Sequence, residues 1–321
     1  MRLFVSLLGS LLLIVATAHA QVDEIVANLA GGRVIIQVTR DAIVFAAIDH
    51  PLEATSVPPR VAEIDKGHIA VFFGASEWKL PAAPKSIRLD RDIEHIAPAE
   101  HRYETPGGPE SDLEEIGVVF LEKLRPLVSQ LHHKIDLKPD EPLLQLVLIG
   151  YAPKNYGPEV WLMEYRVEQQ QPGASDEYLQ THVLRPRFTQ LYPPEKHQAH
   201  TLVEIRFPED LQATPLLGLI QQNDPRIARL RSSDPRFAKL LQLIERGDAQ
   251  KSVTQDAADF LRAVVPLIAG DAKFIQATLG EDSGFRWVVP PDEPVSKEQQ
   301  AEDKNRPPDA PTLRRRPDPN R

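Results

Sequence analysis

The stretch that comes nearest to metal chemistry is His197-Gln198-Ala199-His200, with Glu195 and Glu204 close by. Two imidazoles at this spacing beside carboxylates are donors that zinc accepts. The stretch is flanked by proline, however, and solvated histidines are the plainer reading, so neither His197 nor His200 is assigned a metal. His132-His133 falls near the end of a predicted helix, where imidazoles meet the last carbonyls. The chain has no cysteine, which removes disulfides, thiolate metal sites and a cysteine nucleophile. It also lacks G-x-S-x-G, H-E-x-x-H and a glycine-rich phosphate loop, so no cofactor is expected. Trp78, Trp161 and Trp287 read as core or loop-clamping residues.

Composition narrows the setting. Arg2, an apolar run and the ending Ala18-His19-Ala20 have the anatomy of a secretory signal peptide, with cleavage expected before Gln21. The apolar run is short for a membrane span, and no later segment is apolar enough to be one. The expectation is a periplasmic or secreted protein with no span after signal cleavage. The formal net charge is −9, and losing Arg2 makes it −10. That balance argues against general binding of nucleic acid or anionic membrane, both of which need clustered Lys and Arg. It leaves room for a local basic patch.

The elements follow from periodicity. Val34 to Val38 and Ile43 to Ala47 are apolar runs joined across Thr39-Arg40-Asp41-Ala42, a hairpin whose continuous apolar character predicts cover on both faces. Arg60 to Asp65 and His68 to Gly74 form a second hairpin around Asp65-Lys66-Gly67, and Gly74 is expected to close it. Residues 75–110 read as irregular. A helix is predicted from Ser111 or Asp112 on the capping pattern Ser111-Asp112-Leu113-Glu114, with Pro126 kinking or shortening it. LLQLVLIGY and EVWLMEYRV give a third hairpin. Strands are expected around Gln180–Leu184 and Thr201–Ile205. Asp224-Pro225 and Asp234-Pro235 each predict an N-cap with proline at the first helical position, and Gly247 ends that helical part. Ser252 to Ala269 is a further amphipathic helix, and FIQATLG with FRWVVP is the last strand material. The expected domain is 21–290, with insertions near 75–110 and 168–245. Residues 1–20 are the signal, and 291–321 are a proline-rich, charged tail expected to be disordered.

In this order, the hairpins and helices resemble the proteasome-subunit branch of the N-terminal nucleophile (Ntn) hydrolases. The family's strand, Asp turn and strand ending in Ala-Ala-Asp stands here as VIIQVTRDAIVFAAIDH. Its next strand pair stands as RVAEIDKGHIAVFFG, and SVTQDAADFLRAVVPLIAGD with FRWVVP is similar to its last helix and strand. The likeness covers most of residues 30–166 and 250–290. It implies an α+β fold, a four-layer α/β/β/α sandwich of two antiparallel sheets. The bottom-up pattern of hairpins and segregated helices also asks for an α+β layer fold.

In that family a threonine at the start of the first strand is the nucleophile, and its own amine is the base. Matching through Asp41 puts Gly32 at that position, and no Thr, Ser or Cys lies between Gln21 and Val38. Arg60 falls at the family's lysine but cannot serve as a neutral amine. Asp49 stands one residue past the family's aspartate, which leaves Ile48 in register. Gly74 matches the glycine whose N–H faces the oxyanion. The later Gly-Ser-Gly-Ser element is not visible, and the irregular 75–110 segment replaces the first long helix. The expectation is a catalytically silent protein that binds or assembles, with an unidentified protein or peptide partner and homo-oligomerisation implied by the resemblance. The alternatives are an active amide hydrolase with another nucleophile, and an envelope protein of unrelated α+β fold.

Overall fold

The computed structural model describes residues 25–50, 57–64, 67–80, 86–93, 109–130, 140–152, 157–170, 180–194, 202–209, 211 and 213–292. The expected signal, the tail from 293 on, and His132, His133, His197 and His200 lie outside them.

The chain is α+β, and its paired strands are antiparallel. The smaller sheet has five strands. β2 (Gly32–Val38) and β3 (Ile43–Asp49) form the expected first hairpin. β13 (Phe274–Gly280) pairs with β3, and β14 (Gly284–Val289) pairs with β13. β12 (Val203–Phe207) lies on the other side of β2, so the first hairpin is held between later segments.

The larger sheet has seven strands. β1 (Val26–Ala30), β5 (His68–Lys79), β7 (Leu144–Ala152), β8 (Gly157–Tyr165) and β11 (Arg187–Tyr192) run in that order, with β4 (Arg60–Glu63) and β6 (Ile87–Arg88) also on β5. β9 (Val167–Gln170) and β10 (Gln180–Val183) pair separately.

Side-chain alternation sorts the strands into three cores. Val34, Ile36 and Phe45 of the smaller sheet share one core with Ile69, Val71, Phe73 and Val147 of the larger. Their alternates Ile35, Val44, Ala46 and Ile48 share a second core with the late helices. Those helices are α3 (Leu216–Gln221), α4 (Pro225–Ser233), α5 (Pro235–Glu245) and α6 (Thr254–Ala269). The far side of the larger sheet, through Phe72, Leu146 and Met163, packs on Phe120 and Leu124 of α2 (Pro109–Val128). Cover on both faces leaves β2 buried throughout, with its two polar side chains, Arg33 and Gln37, paired to Glu204 and Ser252.

Helix starts follow local chemistry. Asp224 caps α4 by accepting Arg226 N–H at 2.9 Å, and the Arg226 side chain folds back onto the same carboxylate. Asp234 and Arg236 repeat this at α5. The hydrogen bonds from Arg226 hold the Asp224 carboxyl down to about 2.

Several expectations are corrected. Gly74 does not close a strand: β5 continues to Lys79, because the unforeseen β1 gives Gly74–Lys79 a partner. The register shifts there, and Gly74 has φ of 78°. The segment after it holds β6 and the short helix α1 (Leu89–Ile93) rather than irregular chain alone. α2 begins at Pro109, and Pro126 sits within its last turn, two residues before its end.

One buried polar contact depends on a glycine. In register across three strands stand His68 of β5, Gly150 of β7 and Glu159 of β8. A Cβ on Gly150 would lie 2.1 Å from His68 Cδ2. Its absence lets the ring cross β7, and His68 Nε2 meets Glu159 Oε1 at 2.6 Å. The other carboxylate oxygen accepts Trp161 Nε1–H at 2.9 Å. Gly150→Ala should therefore lose ~1–3 kcal/mol, as overpacked cores do. Gly218→Ala in α3, whose Cβ would meet nothing closer than 3.5 Å, should be neutral or stabilising by up to about 1 kcal/mol. Chemical denaturation of both variants measures the contrast, and equal midpoints would contradict it.

Candidate functional site

The four positions singled out by the sequence lie close together. Gly32 opens β2, where it pairs with Asp49 of β3 on one side and Phe207 of β12 on the other. The ring of Phe207, 2% exposed, reaches back to Gly74: its Cζ would stand 3.1 Å from a Cβ there. Pro59 Cγ would stand 3.1 Å from a Cβ on Gly32, which brings the neighbouring Arg60 to the same neighbourhood.

Position 32 has no room for a side chain. A Cβ would sit 2.1 Å from the Ile48 carbonyl oxygen, which is backbone and cannot swing aside. Position 32 is also not a chain end. β1 precedes it in the larger sheet, and the backbone crosses to the smaller sheet through Gly31 and Gly32. His50 N–H donates to the Gly31 carbonyl at 3.0 Å, fixing that crossing. A nucleophile that uses its own amine needs a free terminus here. The geometry supplies neither the terminus nor the side chain.

The other positions are similarly committed. Arg60 Nη2 donates to Glu77 Oε2 at 2.6 Å, with the two side chains only 10% and 15% exposed. Glu77 Oε1 also accepts from Asn28 of β1 at 3.4 Å. The cation that would tune a catalytic amine thus helps fasten β1 to β5. Asp49 N–H donates to the Lys273 carbonyl at 2.8 Å, while its Oδ1 is buried with no hydrogen bond among the described residues. Burial raises the Asp49 carboxyl above its ordinary value, against the pull of His50 and Lys273. At Gly74 a Cβ would meet the Leu143 carbonyl oxygen at 2.3 Å, so this glycine serves a backbone approach as well as its positive φ.

Three groups escaped the sequence reading. Ser76, at the irregular part of β5 near Gly74, is fully buried, and its hydroxyl has no hydrogen bond among the described residues. Its position two residues past Gly74 was the available signal. The His68–Glu159–Trp161 contact had no sequence signal, since it depends on the pairing of β5, β7 and β8. Arg33, 4% exposed, pairs with Glu204 at 3.3 Å, and Glu204 also accepts the Leu216 N–H at 2.7 Å. Burial lowers the Arg33 pKa, with Glu204 opposing. Glu204 is therefore committed to Arg33 and to the start of α3. Among the described residues, no group of three or more His, Asp or Glu could hold a metal.

No protein-family model matches the chain, and a search of curated proteins finds no relative.

Gly32→Thr should therefore fail to install a nucleophile. It should instead lose at least ~1–3 kcal/mol by overpacking against Ile48, measured by chemical denaturation beside an assay for peptide-amide turnover. A Gly32→Thr protein with the parent midpoint would contradict the closed site.

Proposed function

We propose that the chain is an exported protein of Ntn-hydrolase-like fold whose catalytic centre is closed, and that it acts by binding or assembly. The strand order supports the fold reading. The first and last hairpins share the smaller sheet, and β4, β5, β7 and β8 belong to the larger. The three cores lie between a helix and a sheet, between the sheets, and between a sheet and helices. That layering supports the α/β/β/α arrangement the resemblance implies.

The observation that carries the silent reading is Gly32 against the Ile48 carbonyl, with β1 built in ahead of it. Acyl transfer by this family's route needs an amine and a hydroxyl on one residue. Gly32 has no hydroxyl, and its amide is in mid-chain. The expected signal supports export, with Gln21 as the mature terminus.

The active-hydrolase reading can draw on Ser76, two residues past Gly74, but its complete burial keeps substrate away. Incubation with a threonine-directed electrophile, followed by intact-mass analysis, should show no adduct. A fluorogenic peptide panel should show no turnover above blank. A stoichiometric adduct, on Ser76 or elsewhere, with activity lost in parallel would overturn the silent reading.

A further inference from the structure

Charge is distributed unevenly across the layers. From Leu216 to Ala269, the span of α3 to α6, the chain carries eight of its 37 Lys and Arg but only six of its 46 Asp and Glu. Each of those six acids is spent within the layer. Asp224 pairs with Arg226, Asp234, Asp256 and Asp259 with Arg236, Glu245 with Arg231, and Asp248 with Lys251. Four cations remain: Arg229, Lys239, Arg246 and Arg262. All four are exposed, and none has an acidic partner among the described residues. The next acid along the chain, Asp271, follows the turn at Gly270.

The four belong to the helical layer that packs on the smaller sheet. α5 buries Phe237, Leu240, Leu241 and Ile244 towards the smaller sheet. Lys239 and Arg246, seven residues apart, fall together on its opposite face. Arg229 is two residues from the buried Ile227 of α4, so it too points outward. Arg262 is an exposed residue of α6. Two of the few large apolar side chains exposed among the described residues flank the same helix: Val253 at 42% and Leu267 at 41%. On the far side, α2 has five Asp and Glu against two Lys and Arg.

We propose that the outer face of α4–α6 is a peripheral docking surface for an anionic lipid bilayer. Cations spread over three helix faces suit a surface of spread negative charge better than a single bound anion. Val253 and Leu267 supply apolar contacts at the headgroup boundary. Outside residues 216–269 the chain carries 40 Asp and Glu against 29 Lys and Arg, so its net charge there disfavours contact with the same bilayer. This is the local basic patch that the overall negative charge leaves room for.

The test is co-sedimentation of the full mature chain with vesicles of phosphatidylcholine, alone or with about 30 mol % phosphatidylglycerol, because the anionic lipid sets the surface potential. Binding should appear only with the anionic lipid and vanish as salt rises to about 0.5 M, where screening is nearly complete. The quadruple variant Arg229→Gln, Lys239→Gln, Arg246→Gln and Arg262→Gln should bind at least ~10-fold more weakly. All four positions are exposed, so its melting temperature should match the parent's, and Arg286→Gln on β14 should bind like the parent. Absence of binding, equal binding to both vesicles, or binding unaffected by the quadruple substitution would overturn the proposal. Capture by soluble polyglutamate without vesicle binding would also overturn it, and would assign the face to an acidic protein.

Discussion

The chain must pass from one sheet to the other between Ala30 and Arg33, and it does so through Gly31 and Gly32. At Gly32 the Ile48 carbonyl occupies the space a Cβ would need. β1 can join the larger sheet and β2 the smaller only if this crossing is tight. Its consequences run outward from there. β1 pairs along the later half of β5 with a register shift at Ser76, two residues past Gly74 and its positive φ. Arg60 and Asn28 converge on Glu77 to hold that pairing, and Phe207 fills the space between Gly32 and Gly74. The arrangement that stabilises the crossing also leaves position 32 no room for a side chain.

Much of this fold was legible in the sequence. The apolar runs of β2, β3, β5, β7 and β8 announced strands, and continuous rather than alternating character announced cover on both faces. The Asp-Pro steps announced two helix starts, each borne out by the capping contacts of Asp224 and Asp234. What escaped were elements whose stability comes from distant partners. β1 reads as VANLA, with no turn signal before it, and it is a strand because β5 offers an edge. β11, RFTQLY, is half-exposed and gains its identity from β8. Gly74 looked like punctuation because a lone glycine after an apolar run usually ends it. Only the neighbouring strand β1 carries β5 on through it.

The site shows the same division. The sequence located Gly32, Asp49, Arg60 and Gly74 and the missing hydroxyl, because residue identity alone decides that. It could not show that position 32 is sterically closed, that Arg60 is tied to Glu77, or that Ser76 is buried beside them. Those are facts of register and approach distance. Under the reading proposed above, silence at this centre is a property of the packing, and a single substitution at position 32 does not reverse it.

The most direct test of this account is hydrogen–deuterium exchange of the mature protein, followed by mass spectrometry across residues 26–31 and 68–79. If β1 is an integral strand fixed by the Gly31–Gly32 crossing, its amides should be protected to a similar degree as those of β5, since both would open together. Exchange of 26–31 at the rate of unprotected chain, with β5 still protected, would contradict it. The crossing would then not be held by β1, and the closed-site account would fall.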